Sequence, residues 1–488
     1  MSTTPTCAPK KTLARSVPPY VWLLLGVITT AGTGMRFGVD LLGWIAVVPW
    51  LVHLRVTEGW RSRLALLGAL QLGMFLGILT IVTEPIPWVF ALMFSVPMAV
   101  GAFVAYSTFE VLRRRVGDPK GIVLFGALTV LMEWLSSNMS EMGSWGSMAY
   151  TQLGNLPLMQ VTSLFGLAGV TLLLALTSAV MAVALDSKSL RTWRTPAAVV
   201  ASLVLAAHVY GTLRLYTPLP GDLMTVATVT TDLHMGPQGL PPKDTVARET
   251  ERLFKRTDQA IAQGAQLIIW NEGATAMDAQ DEDAFLARAR GLAREHHVDI
   301  VLAYIVPLDG MKRFENKYAW ITAEGDIAQV YHKHHPVPGE GSVRGTKPHT
   351  ALERPWGRTS GAICYDYDFP AVGRAHAALG VGLVAVPASD WLGIDPLHTR
   401  MASVRGIEGG YAVVRSVRWA TSGAYDAYGR PRATASYFEG ERVMIARVPT
   451  GHVATVYNQI GDVLPATMAL LVLVLGLSRA VRSMAQNA

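Results

Sequence analysis

Charge is scarce in this chain. Asp, Glu, Lys and Arg make up 16% of its 488 residues, against about a quarter in an ordinary soluble protein, and that shortage argues against a wholly water-soluble fold. Cysteine is almost absent as well, with Cys7 and Cys364 as the two examples. Two thiols build no disulfide framework, and Cys7 sits in a polar, proline-containing leader, so Cys364 reads as a free thiol. No basic face is present either. The net charge of +6 comes from Lys and Arg in short clusters between apolar runs, which speaks against a nucleic-acid partner. The apolar stretch after the leader lacks a small-residue cleavage site, which weighs against a cleaved signal peptide.

Apolar sequence is what the chain has in quantity, with 51% hydrophobic residues and a mean hydropathy of +0.30. Candidate spans run roughly over 19–35, 38–54, 64–83, 87–111, 121–137, 158–185, 196–213 and 461–478, about eight helices able to cross roughly 30 Å of hydrocarbon. Basic residues mark alternate loops. Arg55, Arg61 and Arg63 follow the second span, Arg113, Arg114, Arg115 and Lys120 the fourth, Lys188, Arg191 and Arg194 the sixth, and Arg479 and Arg482 the last, whereas the intervening loops hold little beyond Arg36. The positive-inside rule then places both termini in the cytoplasm and the segment 222–450 outside. The domain plan is a leader at 1–18, a membrane domain at 19–215 with about seven spans, a folded domain at 222–450, a last span at 458–480 and a tail at 481–488. Glu133 lies inside a span, where a carboxylate faces a protein interior or wet cavity unless it sits near a helix end. The loop 138–157, with Trp145 and Tyr150, reads either as an ordinary interfacial loop or as one lying beside the outer domain.

From Asp222 onward the pattern changes to short strands alternating with amphipathic helices, such as 245–263 and 282–296, and predicts an α/β layered fold. Three polar groups fall at the C-terminal ends of predicted strands: Glu272 after QLIIW, Lys333 after AQVYH and Cys364 after SGAI. Catalytic groups gather at that edge of α/β sheets. Taken alone, the stretch 359–370 favours a buried structural cysteine, and a lone Glu or Lys at a strand end favours a solvated side chain. Together they form a constellation in which a carboxylate takes a thiol proton and an ammonium stabilises the oxyanion formed when the thiolate attacks a carbonyl. His332, His334 and His335 stand at i, i+2, i+3, which does not match the usual helical ligand pairs, so no metal is expected. Arg415 and Arg418 read as solvent-facing arginines of a late strand, with a phosphate headgroup as the alternative partner.

The segments IIWNEGA, YHKHHPVPGE and ICYDYDFP, in that order, resemble the nitrilase or carbon-nitrogen hydrolase superfamily. With the membrane helices, the segment WGSMAYTQLGNLPLMQVTSLFGLAGVT and a late TVYNQIGD, the chain resembles more narrowly the apolipoprotein N-acyltransferase family. The resemblance implies a polytopic α-helical membrane domain joined to an extracytoplasmic αββα sandwich in a bacterial inner membrane, with no cofactor. It implies Cys364 as nucleophile, Glu272 as base and Lys333 as oxyanion stabiliser, Glu340 as an accessory carboxylate, and Tyr365, Asp366, Trp391 and His398 as accessory or substrate-contacting, with Arg405 and Glu408 on the same helix as His398. Its implied substrates are a phospholipid acyl donor and the N-terminal amine of a diacylglyceryl-modified lipoprotein. The alternatives are a membrane-tethered amidase or N-acyltransferase with another acceptor, and a catalytically silent relative that binds lipids or lipoproteins. Against the family pattern, Asn271 replaces a proline, VPGE lacks a phenylalanine, Asp366 replaces a glutamate and Arg418 an asparagine, the segment 341–363 is short, and no tryptophan lies between Leu233 and Thr245.

Overall fold

The computed structural model describes residues 12–34, 36, 39–233, 239–309 and 312–477; Cys7, Lys10, Lys11, Arg479 and Arg482 lie outside them. Among the described residues five helices are long and apolar enough to cross a membrane: Trp60–Leu79, Val89–Val116, Asp118–Met139, Leu167–Asp186 and Leu190–Tyr216. That is fewer than the expected eight. Pro19–Gly32 has 14 residues and Val463–Leu477 has 15, while the expected second span is divided into Asp40–Gly43 and Val48–Val56. The expected sixth span breaks at Gly166, whose φ of +62° ends Thr162–Phe165 and starts Leu167–Asp186. A Cβ there would lie 2.7 Å from the Tyr457 ring, so the break is where a residue beyond the α/β domain packs in. Hydropathy averages over such breaks.

The bundle packs internally around Leu66, Leu70, Leu124, Phe125, Ala175 and Ala179. Its outward faces carry exposed Leu72, Leu76, Val96, Val100, Leu205 and Leu213, the pattern of helices solvated by lipid tails rather than water. Not all of the loop arginines are free topology markers. Arg55 is buried and paired with Asp118 at 2.9 Å and Asp186 at 3.3 Å, which ties three helices together at one end of the bundle.

Among its described residues the α/β part holds thirteen strands: β1 Leu223–Val229, β2 Leu267–Trp270, β3 Thr275–Ala276, β4 Asp299–Asp309, β5 Arg313–Ile321, β6 Ile327–His332, β7 Leu352–Arg354, β8 Gly357–Gly361, β9 Leu383–Ser389, β10 Ala412–Arg418, β11 Thr421–Tyr425, β12 Pro431–Ser436 and β13 Val443–Pro449. Four of them follow the helix Leu397–Gly409. The first sheet runs β13-β1-β2-β4-β5-β6, with β3 on β4, and the second runs β12-β11-β10-β9-β8-β7. Their inner faces share one core, in which Val226, Leu267, Val301 and Trp320 of the first sheet meet Val384, Val386, Val413 and Val417 of the second. The helices Lys243–Ala262 and Glu282–His296 cover the other face of the first sheet through Leu253, Phe254, Leu286 and Ala289. Their apolar residues recur at helical spacing while most charged residues face out; Glu249 is buried and pairs with Arg252 at 2.6 Å. Pro370–Ala378 and Leu397–Gly409 pack against the second sheet, which completes an αββα sandwich.

Candidate active site

The central β2 ends at Trp270, and the chain turns at once into Asn271 and Glu272. Asn271 fixes that turn. Its Oδ1 accepts from the Thr231 amide at 2.9 Å and its Nδ2 donates to the Glu272 carbonyl at 2.9 Å, two bonds that a proline could not make. Lys333 follows β6 directly and is 2% exposed. Its Nζ donates to Glu272 Oε1 at 2.8 Å and to Glu340 Oε2 at 2.7 Å. Burial works against the ammonium, but the two carboxylates outweigh it and hold the Lys333 pKa well above its usual value. Lys333 in turn lowers that of Glu340 against the opposing effect of burial. Asn316 of β5 closes the group, donating to Glu272 Oε1 at 2.7 Å and Glu340 Oε1 at 3.1 Å.

Cys364 opens the 3-10 turn Cys364–Asp368, just past β8. Its φ is +47°, a left-handed conformation that costs a residue with a Cβ roughly 1–3 kcal/mol and is found where a site constrains the backbone. Asp366 holds the turn in place. It is fully buried and accepts from the amides of Ile363 at 3.0 Å, His334 at 3.0 Å and His335 at 2.6 Å and from the Tyr331 hydroxyl at 2.8 Å. That is a backbone-positioning duty, which lashes the Cys364 turn to the segment after Lys333. Both of its oxygens are engaged within the protein. Burial raises the Cys364 pKa well above its ordinary value; Glu272 and Asp390 add to this, and Arg415 and Lys333 oppose it. The resting thiol is therefore protonated, with the Glu272 charge close enough to act on it.

The second sheet supplies another cluster. Arg415 and Arg418 are not solvent-facing, being 0% and 5% exposed. Arg415 grips Asp390 through Nη1 at 2.6 Å and Nη2 at 3.0 Å, and the same Nη2 lies 3.7 Å from Cys364 Sγ. His398 lies between Asp390, 2.8 Å from Nδ1, and Asp368, 2.9 Å from Nε2. Burial and Arg415 push the His398 pKa down, yet the two carboxylates win and raise it to about 9. Arg415 Nη2 is also 2.8 Å from His398 Nδ1; with the imidazole protonated this is a close approach of two cations held by their common counter-ion, Asp390. Cys364, Asp390 and His398 bring potential ligand atoms within 4.8 Å of one another, but the guanidinium already supplies the cation at that point. Arg418 donates to the Leu233 carbonyl and to Ser389 Oγ, at 2.7 Å, and stacks on Trp419. It is a structural clamp of the second sheet.

The thiol turn is docked on the helical domain. Tyr365 donates to the Glu141 carbonyl at 2.8 Å, Ser144 Oγ donates to the Asp368 carbonyl at 2.8 Å, and Trp145 Nε1 donates to the Asp368 carboxylate at 3.0 Å. Gly143 makes this approach possible, since a Cβ there would stand 2.7 Å from the Asp368 carbonyl oxygen. Glu133 holds the same loop from below, accepting from Ser147 Oγ at 2.8 Å, the Met148 amide at 2.8 Å and Thr171 Oγ1 at 2.7 Å. It faces a protein interior and braces the loop. Trp391 is an anchor between domains, its Nε1 donating to the Ile81 carbonyl at 2.7 Å. Arg405 and Glu408 form a buried pair at 3.0 Å, and Arg405 also donates to Tyr150.

The structure thus gathers Glu272, Lys333, Glu340 and Cys364, brings His398 within 4.8 Å of the thiol, and engages Tyr365, Asp366 and Trp391 in hydrogen bonds to other parts of the chain. The sequence reading missed Asn316, Asp368 and the contact of Arg415 with sulfur. Asn316 had a signal: it shares with Tyr318 and Trp320 the face of β5 that enters the inter-sheet core, and a polar residue in that register needs a polar partner.

Residues 23–180 match the model of the apolipoprotein N-acyltransferase N-terminal domain, and residues 235–457 match that of carbon-nitrogen hydrolases. An apolipoprotein N-acyltransferase of Geobacter metallireducens is 26% identical, covering 91% of this chain and 92% of its own length. Another, of Gloeobacter violaceus, is 27% identical over 95% and 96%. Among solved structures, an amidase from Nesterenkonia sp. overlays with a TM-score of 0.41 at 21% identity, covering 51% of this chain and 97% of its own. A helical part and a hydrolase part are thus matched in this order, and over most of its length the chain is similar to apolipoprotein N-acyltransferases.

Proposed function

We propose that this membrane protein transfers an acyl chain from a phospholipid to the N-terminal amine of a diacylglyceryl-cysteine on a lipoprotein, through a thioester on Cys364. The observation that carries the reading is the position of the thiol. Cys364 is buried beside the Glu272–Lys333 pair, and its turn is hydrogen-bonded to the loop of the helical domain, so the reacting sulfur sits where the bilayer part meets the sandwich.

In the first half-reaction Glu272 takes the Cys364 proton and the thiolate attacks the ester carbonyl carbon. Lys333, helped by its place between two carboxylates, meets the oxyanion as it forms. The ester C–O bond breaks, the lysophospholipid oxygen leaves with the proton from Glu272, and the thioester remains. In the second half the lipoprotein amine attacks the thioester carbon and gives its proton to Glu272. The C–S bond then breaks and the thiolate recovers that proton. Both substrates are held in lipid and meet the enzyme within the membrane plane. The alternation of basic loops supports cytoplasmic termini and an extracytoplasmic domain at 222–450, reached after the helices of 19–215 and followed by the membrane segment of 458–480. A silent lipid-binding scaffold has no use for a base, a cation and a thiol held together at this spacing. Mass spectrometry of lipoprotein N-termini tests the reading: cells carrying only this enzyme should yield N-acylated diacylglyceryl-cysteine, and free amines in the presence of well-expressed protein would refute it.

A further inference from the structure

The sulfur of Cys364 touches a cation that this acyl-transfer scheme leaves unused. Arg415 is 0% exposed, and the hydrogens at the end of its guanidinium can be assigned. Nη1 spends its two on Asp390 Oδ2, at 2.6 Å, and Thr399 Oγ1, at 2.8 Å. Nη2 gives one to Asp390 Oδ1 at 3.0 Å; it also stands 2.8 Å from His398 Nδ1, which as part of an imidazolium donates to Asp390 and cannot accept, so the other hydrogen is left for Cys364 Sγ at 3.7 Å. A guanidinium fork can do this because its donors are fixed in one plane, so gripping the carboxylate with two bonds aims the remaining hydrogen.

Charge on the two sides of the sulfur is distributed unevenly. On the first-sheet side one ammonium, Lys333, serves two carboxylates, Glu272 and Glu340. That side carries no spare positive charge for a thiolate until a proton reaches Glu272. On the second-sheet side Arg415 and an imidazolium at His398 face Asp390 and Asp368. Two cations balance two anions there, and His398 draws on Asp390, which leaves the guanidinium available to the sulfur. Trp145 completes the row from the helical domain by donating to Asp368.

We propose that Arg415 is a further catalytic residue, whose Nη2 pairs with the Cys364 thiolate both when it attacks and when it leaves, and that Asp390, His398, Asp368 and Trp145 are the positioning residues that aim it. The proposal rests on the acyl-transfer reading for its chemistry. In the first half-reaction the thiolate formed as the proton passes to Glu272 lies against Nη2; in the second, the electron pair of the breaking C–S bond returns to sulfur against the same N–H. No other reactant is needed.

The test reads the thiol alone, so its failure and that of the acyl-transfer reading are separable. Full-length protein in detergent, in a Cys7→Ser background that leaves Cys364 as the one thiol, is alkylated with iodoacetamide across a pH series and followed by intact mass. The charged groups facing the sulfur are Glu272, Lys333, Asp390 and Arg415. Arg415→Gln should move the inflection of the rate profile upward by about one to three units and slow alkylation below it by about tenfold or more, as expected for loss of an opposite charge at this range. Arg415→Lys keeps the ion pair with Asp390 and, lacking the fork, should show a smaller upward shift of about half a unit or more. A merely structural arginine would lower the melting temperature and leave the inflection in place. An unmoved inflection in Arg415→Gln, or in Arg415→Lys where the glutamine variant does not fold, overturns the proposal.

Discussion

Cys364 stands between two polar clusters, one hung from the ends of β2 and β6 in the first sheet and one from β9, β10 and the helix Leu397–Gly409 against the second, and the two are wired differently. In the first, the ammonium of Lys333 is shared by Glu272 and Glu340, and Asn316 also spans both carboxylates. A proton arriving on Glu272 can be accommodated there because Glu340 keeps its hold on Lys333. In the second, Arg415, Asp390, His398 and Asp368 each have at least two partners and alternate in sign. Nothing in that row gains by releasing a proton near neutral pH. One side of the thiol moves charge, and the other holds it still.

The largest effects should come from the side that moves charge. Glu272→Gln should slow formation of an acyl adduct by about 10²–10⁴-fold, the usual worth of a general base, with a melting temperature close to that of the parent. A change in stability without a change in rate would put Glu272 with the fixed charges instead. Lys333→Met should cost about 10²–10³-fold in the same single-turnover assay, as for loss of one oxyanion donor. A rate equal to the parent's would assign the oxyanion to another group.

On the fixed side the expected effects are on stability. The imidazolium of His398, held near 9 against about 6.5 in an unfolded chain, stabilises the fold fully below about pH 6.5 and loses that contribution as pH rises through about 9. The contribution is on the order of 3 kcal/mol. Chemical denaturation between pH 6 and 10 should therefore show parent stability falling across this window, and His398→Gln should be less stable at pH 6 and flatter above it. Parallel profiles would mean that His398 is neutral in the fold. The smallest effect is that of Trp145→Phe, which keeps the ring and removes one hydrogen bond to a carboxylate, a loss of about 1.5 kcal/mol. It should leave the pH of the alkylation inflection nearer the parent's than either Arg415 variant does.

The two clusters also differed in how far they could be read from sequence. Glu272, Lys333 and Cys364 each follow an apolar β-prone run, and a polar residue at a strand end is visible in the chain itself. Arg415 looked like a surface residue because its partners are invisible locally. The parallel pairing of β9 with β10 puts Arg418 beside Ser389, and so brings Arg415 near Asp390, 25 residues away in sequence. Long-range parallel register is not written in the hydrophobic pattern of either strand. The same limit shaped the membrane half. Apolar composition announced helices, but the break at Gly166 is set by the Tyr457 ring, almost three hundred residues further on, and so a run that reads as one span is two helices in the structure. Asp366 is legible as unusual in the sequence, but its bonds to the His334 and His335 amides depend on two sheets meeting and are not.

The central claim is that Cys364 carries the acyl chain. Purified protein incubated with a phospholipid of defined acyl composition, with no acceptor, should gain the mass of one acyl group, mapped to Cys364, and lose it on addition of a diacylglyceryl-cysteine peptide with a free amine. N-acylated peptide formed by a Cys364→Ala variant, or formed by the parent with no adduct at any time point, would contradict the account.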